Sequence, residues 1–149
     1  MHILFVDAGN YCRSPAAEAV ARTLAEREGL GSRLHFASAG LKDKHAGDTA
    51  DPRTIEACAV RGDSLGDCRC REIAPADCAQ AALILAMDRE NLAALEARRP
   101  AGNETPIRLF LGEAEVPDPY FGEADGFALM MEQIEDGARA LLAELARAD

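Results

Sequence analysis

The chain opens on an unbroken apolar run. Residues His2 to Val6 pass through isoleucine, leucine, phenylalanine and valine with no polar alternation. That pattern predicts a strand covered on both faces. A loop follows at Asp7-Ala8-Gly9-Asn10-Tyr11-Cys12-Arg13. Ser14-Pro15 then predicts a helix opening, with serine as the cap and proline where no hydrogen bond is needed. Glu18 is placed to complete that cap, one position late for a capping box. Ala16 to Glu28 reads as an alanine-rich helix stopped by Gly29 and Gly31. Leu34 to Ser38 predicts a second strand ending at Ala39-Gly40, and His35 on it reads as a packed residue. Asp51-Pro52 opens a helix to about Val60, with Gly62 after it. Pro75 predicts a short helical turn. Ala81 to Met87 is a continuous apolar strand, and Asp88 caps a helix over Arg89 to Arg99. Ile107 to Leu111 is the fourth strand. Residues 112–126 form an acidic loop. Phe127, Met130, Met131, Ile134, Ala138, Leu141, Leu142 and Leu145 recur at helical steps and predict a long amphipathic helix over Phe127 to Ala146, with both methionines in the core.

The order is β-α-β-α-β-α-β-α, with strands that do not alternate. It predicts an α/β fold: a doubly wound, four-stranded parallel sheet with helices on both faces. In such sheets ligands sit beyond the carboxyl ends of the strands. The loop after the first strand, Asp88 and the acidic loop around Asp118 all fall at that edge.

Composition narrows the function. At 149 residues, without repeats or a low-complexity linker, the chain reads as one domain over 1–149. Its formal net charge is −10. That balance argues against general nucleic-acid binding, which needs basic surface, while leaving room for a local basic pocket. No apolar run is long enough for a membrane span. Five cysteines do not make a disulfide scaffold, and Met1-His2-Ile3-Leu4 does not begin a signal peptide. The expectation is a cytoplasmic protein with reduced thiols. Cys58, Cys68, Cys70 and Cys78 raise a metal reading, but Cys68-x-Cys70 is not a zinc spacing. No metal and no cofactor are expected. His35 and His45 read as isolated.

The loop from Ala8 to Ser14 is the candidate chemistry. Gly9 and Asn10 tolerate φ > 0, which lets backbone N–H groups of Ala8, Gly9, Asn10, Tyr11, Cys12, Arg13 and Ser14 curl into an anion nest. The helix that follows adds partial positive charge at the same spot. Arg13 adds a fork that fits two phosphate oxygens. The bland alternative is a tight strand-to-helix turn with an exposed arginine. The loop lacks the Gly-Lys-Ser/Thr ending of a Walker motif.

The stretch Phe5-Val6-Asp7-Ala8-Gly9-Asn10-Tyr11-Cys12-Arg13-Ser14-Pro15 resembles the phosphate loop of the low-molecular-weight protein tyrosine phosphatases. Ser38-Ala39-Gly40, Ala50-Asp51-Pro52-Arg53, Leu83 to Asp88 and Val116-Pro117-Asp118-Pro119-Tyr120 resemble further segments of that family, in the same order. The resemblance implies an enzyme that hydrolyses phosphotyrosine in proteins, or a small aryl phosphate, through a cysteinyl-phosphate intermediate. It implies Arg13 as phosphate ligand and Asp118 as proton donor. Ser14 would hydrogen-bond the nucleophile, and Asn10 would hold the loop's shape. Tyr120 and Phe121 would form one aromatic wall, and Lys44 falls near the family's opposite wall.

The family's nucleophilic cysteine falls at position 7, where this chain has Asp7. Three readings follow. Asp7 disables the enzyme, its carboxylate accepting the loop N–H groups in the phosphate's place. Asp7 is itself phosphorylated. Or Asp7 is a structural cap in an unrelated fold. The first is preferred. Cys12 lacks the five-residue gap to Arg13 and reads as a buried thiol. Two alternative functions stay open: a non-catalytic phosphotyrosine-binding protein, and an arsenate reductase, which would need relay cysteines that Ala86-Met87-Asp88 does not offer.

Overall fold

The computed structural model describes residues 1–65, 68–120, 122 and 124–147. The apolar opening run forms strand β1, His2–Asp7. Helix α1, Arg13–Arg27, follows the loop, and β2 is His35–Gly40. Helices α2, Pro52–Val60, and α3, Pro75–Gln80, precede β3, Leu83–Ala86. Helix α4, Arg89–Arg98, β4, Ile107–Leu109, and α5, Ala124–Arg147, complete the order.

The four strands form one sheet in the order β2-β1-β3-β4, parallel throughout. Their alternate residues feed two separate cores. Ile3, Phe5, Leu83 and Leu85 join a cluster with α1, α2 and α5 residues, including Val20, Cys58, Met130, Met131 and Ile134. Leu4, Val6, Ile84 and Ala86 point the other way, to Cys78 of α3 and Leu95 of α4. Strands filled on both faces have no polar positions to spare, which is why the sequence shows runs rather than alternation.

Parallel pairing brings the carboxyl ends of β1, β2 and β3 to one edge. Asp7 pairs in register with Gly40 there. Gly40 meets the loop after β1 directly. A Cβ at Gly40 would lie 2.7 Å from the Gly9 carbonyl carbon and 2.8 Å from the Asn10 nitrogen. Beyond it, Leu41 N donates to Asp7 O and Lys42 N donates to Ala8 O, each at 2.9 Å. Val116 N donates to Met87 O at 2.8 Å and ties the acidic loop to the same edge.

Several expectations shift. Helix α1 starts at Arg13 with Cys12 at the cap position and no side-chain cap. Ser14 therefore lies inside the first turn, and Pro15 follows it. Glu18 is no cap either; buried, it accepts the Ser38 hydroxyl at 2.7 Å and pairs with Arg22. His35 is exposed and stacks on His2, because the first residue of β2 lies at the sheet's rim. By contrast, Asp51 and Asp88 cap α2 and α4, accepting from Arg53 N at 2.9 Å and Asn91 N at 2.7 Å.

Candidate functional site

At the carboxyl edge lies a cleft of about 210 Å³. Its lining includes Asp7, Ala8, Gly9, Tyr11, Cys12 and Arg13 from the first loop, Lys42, Lys44 and His45 from the segment after β2, and Asp118 and Tyr120. Segments from opposite ends of the chain thus converge. Phe121, an expected wall residue, lies outside the described residues.

Asp7 sits at the base, only 3% exposed. Its Oδ1 accepts the Asn10 N–H at 2.5 Å and its Oδ2 accepts the Ser14 N–H at 2.9 Å. Ser14 N–H is one of the donors a helix start leaves open, so Asp7 caps α1 from outside. Burial raises the Asp7 carboxyl above its ordinary value. The Ser14 N–H, the Arg13 guanidinium and the Asn10 N–H oppose that rise without cancelling it.

Asn10 gives the loop its shape. It has φ +58°, the left-handed conformation that asparagine tolerates. Its side chain donates to Ser14 Oγ and Ser38 Oγ, both at 3.0 Å, and accepts the Arg71 N–H at 2.9 Å. Gly9, expected to share that conformation, is not in the left-handed region. Glycine there makes room instead, since a Cβ would lie 3.3 Å from His45 Cδ2. Asn10 and Ser14 are not among the cleft-lining residues; their N–H groups face Asp7.

Arg13 is also only 3% exposed, not a solvated arginine on a turn. One of its terminal nitrogens donates to Asp88 Oδ2 at 2.7 Å and Val116 O at 2.9 Å. The other lies 3.8 Å from Asp118 Oδ2. The α4 cap and the acidic loop therefore aim the guanidinium into the cleft. Asp118 is exposed at the mouth and accepts the Tyr120 N–H at 3.0 Å.

Tyr11 and His45 stack with ring centroids 3.7 Å apart and planes 7° apart, and Tyr120 lies 5.8 Å from Tyr11. Arg53 holds Tyr120 through its carbonyl at 3.0 Å while chelating Asp51. His45 is therefore not isolated. Lys44 Nζ stands 5.7 Å from the centre of the Tyr120 ring. Cys12 is buried, its Sγ 3.7 Å from Asp51 Oδ2, and burial pushes its thiol up to about 12. Among the described residues no group of three or more His, Cys, Asp or Glu side chains is arranged to hold a metal, and no helix is long and apolar enough to cross a membrane.

This geometry combines two N–H donors at the base, those of Asn10 and Ser14, with a buried guanidinium, a carboxyl at the mouth and an aromatic wall. It suits an aryl phosphate, except that a carboxylate already occupies both of those donors. Comparison with known proteins agrees with the fold and the family. A family profile described as low molecular weight phosphotyrosine protein phosphatase matches residues 2–149. The low molecular weight protein-tyrosine-phosphatase of Streptomyces coelicolor is 37% identical over 150 residues, with 95% of this chain and 91% of that relative covered. A crystal structure of a protein tyrosine phosphatase from Entamoeba histolytica, with Hepes in its active site, aligns at TM-score 0.93 and 33% identity, covering 99% of this chain and 98% of that one. The arginine phosphatase YwlE, a cysteine-to-serine variant with a phosphorylated active-site serine, aligns at TM-score 0.90 and 27% identity, covering 98% of this chain and 96% of that one.

Proposed function

The chain belongs to the low molecular weight phosphotyrosine protein phosphatase family, and from that premise we propose that it is a catalytically disabled member in which Asp7 stands at the nucleophile's position. The observation that carries this reading is the Asp7 carboxylate itself, buried and accepting the Asn10 and Ser14 N–H groups. With a cysteine at that position, a thiolate would attack phosphorus while the loop amides and Arg13 hold the equatorial oxygens. Asp118 would give a proton to the leaving phenolate and then activate water against the cysteinyl phosphate. Arg13, Asp118 and the loop residues Ala8, Gly9, Tyr11 and Cys12 line the cleft, which supports this reading. Asp7 replaces the attacking sulfur with a hydrogen-bonded carboxylate, a weaker nucleophile whose charge repels a phosphate dianion.

The carboxylate acts as a resident anion. Phosphotyrosine then competes with Asp7 for the loop donors, which supports weak binding at neutral pH rather than a dedicated high-affinity module. The aromatic wall of Tyr11, His45 and Tyr120 supports an aryl carrier. Arsenate reduction has less support, because burial pushes the cleft's thiol, Cys12, far above the range of a reactive cysteine.

A second reading rests on the phosphorylated active-site serine reported for the YwlE variant. There an oxygen carries the phosphoryl group, so Asp7 could form an aspartyl phosphate. Binding and trapping separate the two. A phosphotyrosine peptide should bind Asp7→Ala at least about 10-fold more tightly than the chain as written, the order expected when one buried like charge is removed. After incubation with p-nitrophenyl phosphate, the chain as written should release no burst of nitrophenolate and form no hydroxylamine-sensitive phosphoprotein. A stoichiometric burst with such an adduct would replace the disabled reading with the aspartyl-phosphate one.

A further inference from the structure

The chain has two lysines, Lys42 and Lys44; its other basic residues are arginines. Both lysines line the cleft. Both are exposed, and neither has an ion-pair or hydrogen-bond partner for its ammonium among the described residues. Many of the arginines do: Arg13, Arg22, Arg53, Arg61, Arg71, Arg98 and Arg108 all pair with carboxylates. In a protein with a formal charge of −10, two exposed ammonium groups on the rim of one cleft, with Asp43 between them in the chain, bring positive charge to it.

Their placement is built. The Leu41 and Lys42 N–H groups donate to the carbonyls of Asp7 and Ala8. Gly40 lets the two backbones touch. Lys42 is thereby tied to the loop that forms the base of the cleft, and Lys44 lies two residues on, over the Tyr120 ring. Asp118, from the acidic loop that also carries Tyr120, lines the same cleft.

We propose that Lys42 and Lys44 form a rim subsite for carboxylates beside the phosphoryl group, so that the cleft selects phosphotyrosine flanked by aspartate or glutamate. This rests on the reading of the cleft as a phosphotyrosine pocket. A phosphotyrosine with acidic neighbours meets two ammonium groups whose charge is not already neutralised. A basic neighbour meets repulsion there. Ammonium groups at an exposed rim act as point charges rather than as forks, so the subsite reads charge density rather than one side-chain geometry. Their contribution falls as salt rises.

The test compares two phosphotyrosine peptides of equal length, one flanked by glutamates and one by glutamines. Binding is measured to Asp7→Ala and to Asp7→Ala carrying Lys42→Ala and Lys44→Ala, and kcat/KM is measured on Asp7→Cys with and without the same lysine changes. The glutamate peptide should be favoured about 5-fold at low salt, the order expected of two exposed charge contacts. The preference should fall toward unity without the lysines, and toward unity as salt is raised. Equal treatment of the two peptides by Asp7→Ala would overturn the proposal, as would a preference that survives removal of both lysines. Failure of Asp7→Ala to bind either peptide would overturn the pocket reading and this proposal with it, and is distinguishable because the signal is then lost for both peptides.

Discussion

Asp7 is the residue on which the account turns, and its environment sets a pH dependence. Burial raises its carboxyl above the ordinary value. It therefore takes up a proton earlier than a solvated carboxylate as pH falls. Protonation removes the charge that competes for the loop, so anion binding strengthens on acidification. Sulfate is a suitable probe because its own charge stays constant over that range. Its affinity for the chain as written should rise as pH is lowered from neutrality, more steeply than for Asp7→Ala. Calorimetric titration at several pH values checks this; parallel pH profiles for the two proteins would remove Asp7 as the cause. The same sign governs stability. A carboxyl whose pKa folding raises favours the folded state when protonated, and that contribution is lost as pH rises through its folded value. The exceptional character of Asp7 is legible in the sequence only through the resemblance. That its carboxylate accepts loop N–H groups follows from that reading; which two, those of Asn10 and Ser14, does not, because it depends on how the loop closes. His45 was unreadable for a related reason. Its partner Tyr11 is on another segment, and a stacked ring pair between loops leaves no periodic trace.

At the scale of elements, the sequence carries most of the fold. Continuous apolar runs identify the strands because each is filled from two sides. Asp51 and Asp88 are readable as caps because their partners are only a few residues away. Ser14 fails as a cap because the helix already begins at Arg13, which puts Ser14 inside the first turn. Strands β3 and β4 end earlier than their apolar runs, at Ala86 and Leu109, because pairing rather than hydrophobicity sets a strand's length. The contact between the end of β2 and the first loop predicts a sharp mutational effect. In Gly40→Ala the new Cβ would meet backbone atoms of Gly9 and Asn10 at 2.7 and 2.8 Å, and backbone has no rotamer to yield. The substitution should cost about 1–3 kcal/mol, as overpacking does, seen as a lower midpoint in urea. It should also weaken sulfate binding, since the loop must move. An unchanged midpoint would show that the two segments separate without penalty.

Across the whole molecule, one sheet edge gathers groups that lie far apart in sequence: Asp7 and Arg13 near one end, Lys42 to His45 in the middle, Asp118 and Tyr120 toward the other. The doubly wound order explains this, because every parallel strand delivers its following loop to the same edge. The central claim is that this cleft is a phosphatase site complete but for its attacking atom. The most direct measurement is p-nitrophenyl phosphate turnover by the chain as written and by Asp7→Cys, side by side at one pH. Asp7→Cys should exceed the chain as written by on the order of 10³-fold or more, the scale on which nucleophile losses register. An inert Asp7→Cys that is folded, or a chain as written that already turns over at a comparable rate, would contradict it.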